Sequence, residues 1–309
     1  MASLRDIKKR VASVRSTHKL ISAMKLIAAS RFRQSLHLLQ FARDYEKSLA
    51  DVLRTVLSDK DNYQICKQLL PSYFFDEIPS KPYVICVFGA QKGLCGNYNL
   101  AVIKEALALE TRNQEHVCEF VPMTLKTAEY FTKHRPKQAE PLAGLGHFPT
   151  NATCMELANY VFEHVQKWYA NENVGAVSIV CGKFINTLNQ DVESFDLYPI
   201  RIIASQNIAE KAQQGLTEKT QSTLGFRLIE PSVEVVVEKI FKKLVLTRLY
   251  KAFLEAETCE YAARMTMMDS SKRNAEELID KLSLQYNRTR QANITNELIE
   301  IIAGTATHG

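Results

Sequence analysis

Residues 232–303 read SVEVVVEKIFKKLVLTRLYKAFLEAETCEYAARMTMMDSSKRNAEELIDKLSLQYNRTRQANITNELIEIIA, 72 residues without a proline or a glycine. These two residue types interrupt helices most strongly, so their absence permits one continuous helix. At about 1.5 Å per residue such a helix is roughly 108 Å long. Residues 1–70 also lack both types, and all nine prolines lie between residues 71 and 231. The sequence therefore predicts two long terminal helices on either side of a globular middle.

Both terminal stretches carry side chains at alternating spacings of three and four, which is the heptad pattern of a coiled coil. Two such helices at opposite ends of one chain can pair only in an antiparallel coiled coil. The C-terminal row is the longer one, so its end is expected to project and to need another protein around it. The N-terminal row comprises Leu4, Ile7, Val11, Val14, His18, Ile21, Lys25 and Ala28. The C-terminal row comprises Leu254, Thr258, Tyr261, Met265, Met268, Lys272, Ala275, Ile279, Leu282, Tyr286, Thr289 and Asn293.

Three residues indicate where the long helices begin and end. Ser3 is a suitable N-terminal cap for the first helix. Pro231 is expected in the first turn of the second helix, where proline is well tolerated. A shifted apolar stripe, Ile294, Leu298 and Ile301, precedes Gly304, which is expected to end that helix.

The middle of the chain is predicted to be α/β. Strands alternate with helices there, which argues for a small, mainly parallel, doubly wound sheet with the last strand at its edge. The strands are predicted over 83–88, 117–121, 177–181 and 192–200, and the helices over 99–112, 125–134 and 154–170. The predicted domains are therefore 1–70 (helix), 71–230 (α/β, with a flexible polar excursion over 204–224) and 231–309 (helix).

Composition argues against several classes of protein. No apolar run approaches the about 20 residues of a membrane span, and the N-terminus lacks the apolar core of a secretory signal, so neither membrane insertion nor secretion is expected. The seven cysteines are scattered without a Cys-x-x-Cys pair, and the seven histidines show no metal spacing. We therefore expect no disulfide framework, no metal and no cofactor.

The N-terminal helix is strongly basic. Residues 1–33 hold nine lysines and arginines against one acidic residue, Asp6. A solvated helix normally mixes both signs of charge, so this bias indicates an acidic partner. Phosphates, anionic lipid and acidic protein all satisfy it.

No stretch of the sequence forms a convincing active site. The glycine-rich segment over 89–97 follows a strand and precedes a helix, but it matches neither the dinucleotide fingerprint nor a P-loop. We interpret it as a tight turn, with a nucleotide site as the weaker alternative. Cys95 has no histidine tied to it. Glu255, Glu257 and Glu260 are interpreted as a solvated helical face.

The most unusual polar segment covers residues 286–297, YNRTRQANITNE. Amides, hydroxyls and two arginines cover every face of about three helical turns, whereas a coiled-coil surface is normally rich in glutamate and lysine. Polar groups withdrawn from water must be paired by specific partners, so we interpret this segment as a helix gripped from several sides.

At these residues the chain resembles the gamma subunit of F-type ATP synthase. The resemblance implies an antiparallel coiled coil inside a ring of alternating alpha and beta subunits, and an α/β foot beside the epsilon subunit and the c ring. It further implies a non-catalytic rotor, one copy per complex, that couples proton-driven rotation to ATP synthesis or hydrolysis at beta-subunit sites. The matching motifs are 7–10, 19–26 and 28–30 near the N-terminus, 93–96 in the middle, and 263–265, 279–282, 286–292 and 294–298 near the C-terminus.

The resemblance also assigns roles to individual positions. It implies beta-subunit contacts at Met24, Lys25, Arg264, Arg290, Gln291, Thr295, Glu297 and Glu300, and a foot position near the c ring at Glu230. It favours a peripheral protein on the cytoplasmic side of a bacterial inner membrane, with the matrix side of a mitochondrial inner membrane as the alternative. From the residues alone, a coiled-coil scaffold that binds nucleic acid through its basic N-terminal helix stays open. An α/β enzyme that uses the glycine turn is a more distant possibility.

Overall fold

The computed structural model describes residues 4–57, 62, 64, 68, 81–135, 153–170, 174–199 and 230–306. The predicted cap Ser3 and the predicted excursion over 204–224 lie outside the described residues. The elements in chain order are helix α1 (Leu4–Leu57), strand β1 (Tyr83–Phe88), helix α2 (Tyr98–Arg112), strand β2 (Cys118–Pro122), helix α3 (Leu125–His134), helix α4 (Cys154–Ala170), strand β3 (Ala176–Phe184), strand β4 (Gln190–Tyr198) and helix α5 (Val233–Ala306).

The four described strands form one mixed sheet in the order β2-β1-β3-β4. Strand β1 pairs in parallel with β2 and with β3, whereas β4 runs antiparallel at the edge beside β3. Every residue of β1 is buried, which explains its unbroken apolar sequence YVICVF. The prediction of a mainly parallel sheet with its last strand at an edge is confirmed.

Helices cover both faces of this sheet, and alternate residues of β1 enter two different cores. Val84, Cys86 and Phe88 belong to a core that includes residues of α1, α4 and α5. Ile85 and Val87 belong to the opposite core, which is built with α2, α3 and a later part of α5. Because side chains alternate across a strand, one strand supplies both cores.

By its internal contacts the chain divides into two compact units. One unit comprises Met1–Arg31 and Arg264–Gly309, and the other comprises Phe32–Ala263, which includes the sheet. Within the first unit, His18 contacts Glu276 at 3.0 Å and Lys25 contacts Asp269. These pairs run in opposite order along the two helices, so the segments pack antiparallel.

The burial pattern of the long helices follows the predicted heptad rows. All eight positions of the N-terminal row, from Leu4 to Ala28, are buried or half-buried. The C-terminal row is likewise buried or half-buried from Leu254 to Thr289, and only its last member, Asn293, is exposed. The spacing of three and four therefore identified the packed face of each helix correctly.

Two predicted helix ends are wrong. Helix α5 begins at Val233, so Pro231 lies before its first turn, and Ser232 caps the helix with its Oγ 3.5 Å from the N–H of Val235. Gly304 does not end α5, which continues to Ala306. A glycine within a helix costs only about 1 kcal/mol relative to alanine, and that is too little to stop a long helix.

Candidate functional site

The C-terminal end of α5 is exposed on every side. All described side chains from Arg290 to Ile299 are exposed, as are Ile301 and Ile302. The side chain of Glu300 lies outside the described residues. The described part of α1 leaves these side chains uncovered. The predicted projecting end is therefore present.

Four of the predicted contact residues lie together on this exposed end. Arg290, Gln291, Thr295 and Glu297 all present their side chains to solvent, and Thr295 Oγ1 donates a hydrogen bond to the carbonyl of Gln291 at 2.9 Å. Such an arrangement offers charged and amide groups over about two helical turns. It suits recognition by other chains rather than chemistry on a bound substrate.

An apolar stripe accompanies these polar groups. Ile294, Leu298 and Ile301 are 46%, 54% and 62% exposed, although isoleucine and leucine are usually buried. Contiguous exposed apolar side chains rimmed by polar ones mark interaction surfaces. The same helix end therefore offers both apolar and hydrogen-bonding contacts.

The basic N-terminal stretch presents its charge to solvent. Of its nine lysines and arginines, eight are exposed and only Lys25 is half-buried. Lys25 pairs with Asp269, which also accepts a hydrogen bond from Arg273 at 2.5 Å. Both cations lower the pKa of Asp269, to about 2, and Lys25 has the larger effect. Met24, beside Lys25, is 36% exposed.

The two remaining predicted residues have contrasting surroundings. Arg264 is buried at 7% exposure, whereas Glu230 is exposed just before α5. A buried arginine needs acceptors to offset its lost hydration, so Arg264 serves packing within this chain as well as any outside contact. The structure thus groups Arg290, Gln291, Thr295 and Glu297 on one surface and leaves Arg264 apart from them.

The glycine turn is filled by the chain's own side chains. The three successive N–H groups that follow β1 each donate to a side-chain oxygen, so they are not available to a phosphate. A Cβ at Gly89 would lie 2.7 Å from Thr127 Cγ2, which explains the glycine. The acceptors are Thr124 Oγ1 for Gly89 at 3.2 Å, Asn99 Oδ1 for Ala90 at 2.7 Å, and Glu260 Oε2 for Gln91 at 2.9 Å. The tight-turn interpretation is confirmed.

The interpretation of Glu255, Glu257 and Glu260 as a solvated face is wrong. Glu255 is 6% exposed and Glu260 is 8% exposed, while Glu257 is half-buried. One Glu255 oxygen accepts from Arg43 Nη2 at 2.7 Å, and the other accepts from the N–H of Phe184 at 2.8 Å. A helix surrounded by the sheet and by α1 has no solvated face at this level, which the periodicity of α5 alone does not show.

A charged cleft of about 350 Å³ lies beside the sheet edge. Its basic groups Lys183, Arg248 and Lys251 all pair with carboxylates of the same chain. Charges that are already neutralised offer little to an ionic ligand. In the part of the chain that the structure describes, no group of histidine, cysteine and carboxylate side chains is arranged to hold a metal.

Five of the six cysteines that the structure describes are buried, and Cys154 is half-buried. Burial raises the pKa of Cys86 to about 12 and that of Cys118 to about 11. Cys95 lies 3.7 Å from the carbonyl of Lys92 and 3.3 Å from Asn99 Nδ2. A thiol whose pKa is raised is a poor nucleophile, so Cys86 and Cys118 serve packing.

The fold and these surfaces define a class of protein: a subunit whose exposed helix end and basic helix face are built to be held by other chains. Comparison with known proteins identifies the class. The family model for ATP synthase matches residues 3–307. The ATP synthase gamma chain of Desulforamulus reducens is 32% identical over 306 residues, covering 99% of each chain. That of Heliobacterium modesticaldum is 31% identical over the full length of both chains.

This chain therefore belongs to the ATP synthase gamma chain family. It is a central-stalk, non-catalytic subunit of ATP synthase and not an enzyme by itself. A chain in the cryo-EM structure of the Euglena gracilis mitochondrial ATP synthase, OSCP/F1/c-ring, superposes with a TM-score of 0.62 at 18% identity, covering 98% of this chain and 94% of that one. That likeness shows the fold. None of the described helices combines the length and the hydropathy that a membrane span requires.

Proposed function

We propose that this chain is the rotor shaft that couples proton-driven rotation of the c ring to ATP synthesis or hydrolysis at beta-subunit sites. The exposed polar end of α5 carries this proposal, because a helix end without a packed face is stable only inside a sheath of other protein. Alpha and beta subunits form that sheath. The two long helices act as an antiparallel coiled coil, one copy per complex.

The proposed parts of the shaft follow the predicted domains. Residues 1–70 and 231–309 form the coiled coil, and residues 71–230 form a small Rossmann-like foot. Glu230 lies on the side of the foot that faces the c ring and the epsilon subunit. We propose that the chain is a peripheral protein at the cytoplasmic side of a bacterial inner membrane, with the matrix side of a mitochondrial inner membrane as the alternative.

The basic face of α1 supports a protein partner rather than nucleic acid. Met24 and Lys25 meet an acidic beta-subunit loop, and the exposed basic residues around them supply the complementary charge. On α5, Arg290 and Gln291 are held by beta loops, with Arg264, Thr295, Glu297 and Glu300 as coupling positions around them. Nucleic-acid binding predicts a steep loss of affinity with salt, which filter binding of the purified chain measures directly.

The first experiment is reconstitution. The purified chain is mixed with alpha and beta subunits, and co-elution and ATP hydrolysis are measured against the chain alone. A stoichiometric complex with strongly raised ATP hydrolysis is expected. Absence of any association contradicts the proposal.

The Arg290→Ala, Gln291→Ala double variant tests the proposed contact between the exposed end of α5 and the beta subunits. Each lost charge-assisted hydrogen bond is worth about 1.5–3 kcal/mol, so turnover or coupling is expected to fall at least tenfold. The matched control is Arg112→Ala, Gln114→Ala, which removes an exposed arginine and an exposed glutamine at the end of α2, outside the proposed contact surface. Equal coupled ATP hydrolysis in both variants contradicts the assignment.

A further inference from the structure

Helix α5 occupies the crevice in which a doubly wound sheet usually binds its ligand. In such sheets the ligand lies outside the carboxyl ends of the strands, at the point where the strand order reverses. Here the chain passes from β1 to β2 on one side and later to β3 on the other, so that point lies between β1 and β3. Both strands end against carboxylates of α5.

Two buried carboxylates make these contacts, one on each central strand. Glu260 accepts a hydrogen bond from the N–H of Gln91, just beyond the end of β1, at 2.9 Å. Glu255 accepts one from the N–H of Phe184, the last residue of β3, at 2.8 Å. An anionic side chain of the same chain thus stands where a phosphate would bind to these backbone groups.

The end of β3 is also joined to α1. Arg43 Nη2 donates to the carbonyl of Phe184 at 2.9 Å, and the same guanidinium pairs with Glu255. Both backbone polar groups of Phe184 are therefore held, the N–H by α5 and the carbonyl by α1. One residue of the central sheet is fixed to both long helices.

We propose that Glu255 and Glu260 are positioning residues that make α5 an internal ligand of the sheet, so that the sheet turns together with the part of α5 that packs on it. This inference rests on the proposed rotor function. Apolar packing resists separation of helix and sheet, but the hydrophobic effect that drives it is non-directional. A hydrogen bond is directional and is lost within a small displacement, so these two contacts supply the resistance to sliding under torque.

Glutamine variants at the two positions test this role in the assembled complex. An amide offers one acceptor oxygen where the carboxylate offers two, so Glu255→Gln turns an N–H donor toward either Arg43 or Phe184. The matched control is Glu238→Gln on the same helix, because among the described residues Glu238 pairs along α5, with Lys242 at 2.7 Å, and both side chains are about half exposed. Arg43→Lys is the milder variant. It keeps the positive charge but loses the planar guanidinium that donates to Glu255 and to the carbonyl of Phe184 together.

Two measurements separate positioning from folding. Hydrogen exchange of the peptide that contains Phe184 is expected to accelerate about tenfold to a hundredfold in Glu255→Gln. The ratio of proton pumping to ATP hydrolysis, per assembled complex, is expected to fall in Glu255→Gln and Glu260→Gln and to fall further in the double variant. ATP hydrolysis itself is expected to persist, because its sites lie on other subunits.

Each outcome has a definite meaning. If the ratio of proton pumping to ATP hydrolysis equals that of Glu238→Gln, the inference is overturned. This holds even if fewer complexes assemble, because a merely structural role lowers the amount of complex and leaves the ratio unchanged. If the glutamine variants fail to assemble, Arg43→Lys is measured in the same way, and an unchanged ratio again overturns the inference. If the wild-type complex itself shows no coupling, the proposed rotor function has failed instead.

Discussion

Glu46 is expected to be one of the most sensitive charged positions of the chain. Its carboxylate accepts from Arg248 Nε at 3.1 Å and from Lys251 Nζ at 2.6 Å, and the three side chains are only 17%, 13% and 23% exposed. Burial lowers the pKa of Arg248, and the charge of Glu46 opposes that effect. Glu46→Gln leaves two poorly hydrated cations around a neutral amide. We expect the free energy of unfolding to fall by about 3 kcal/mol. This value lies between the loss of one hydrogen bond to a charged group, about 1.5–3 kcal/mol, and the breaking of a fully buried ion pair, about 3–5 kcal/mol.

The loss is measurable because the chain has a single tryptophan. Trp168 lies on α4 in the core beside α5, at 7% exposure, so its fluorescence reports unfolding of the unit that contains Glu46. In urea the midpoint is expected to fall with an unchanged slope, and on heating by about 6 to 12 °C. The control is Asp51→Asn on the same helix, whose pair with Arg54 at 2.9 Å is about half exposed. That change is expected to stay within about 0.5 kcal/mol. Equal midpoints for the two variants would refute the reasoning.

Three further predictions concern a glycine, a carboxyl group and a thiol. Gly182→Ala should cost about 1–3 kcal/mol, since its Cβ would lie 2.7 Å from the ring of Tyr98, whereas Gly93→Ala, with nothing within 4 Å, should be neutral by urea unfolding. Asp269, with its pKa lowered to about 2, stabilises the folded chain above pH values near 4, and this contribution disappears as pH falls through 2. A carboxyl titration by NMR with an ordinary midpoint would contradict this. Cys86, with its pKa raised to about 12, should react with iodoacetamide at pH 8 only after unfolding, as read by peptide mass spectrometry.

The sequence predicted those parts of the fold whose signal is local. Strand β1 is an unbroken apolar run because both faces of the sheet are covered, and its predicted bounds are the observed ones. The heptad rows of α1 and α5 identified the packed faces because one side of each helix is buried. Within α3 and α4 the predicted bounds also agree with the structure. Periodicity and breakers suffice wherever a residue's environment depends on its near neighbours.

The buried carboxylates could not be predicted in this way. Glu255 is held by Arg43 and by the backbone of Phe184, which are far from it in sequence, and no local pattern announces such a contact. A weaker signal existed. Small residues recur on this stretch of α5, at Ala252, Ala256, Cys259, Ala262 and Ala263, and all five are buried. Small side chains let other elements approach a helix from several sides, which argues against a solvated face there.

Helix α5 carries two kinds of polar group that differ in where their partners lie. Glu255 and Glu260 are satisfied within the chain, so the structure of one chain explains them. Arg290 and Gln291 are exposed, and in the part of the fold that the structure describes no packing requires arginine and glutamine at those positions. Residues that contribute nothing to the fold of their own chain are best explained by a contact with another. The unusual composition of residues 286–297 therefore indicates a partner, and the exposure of every side chain from 290 to 297 supports that inference.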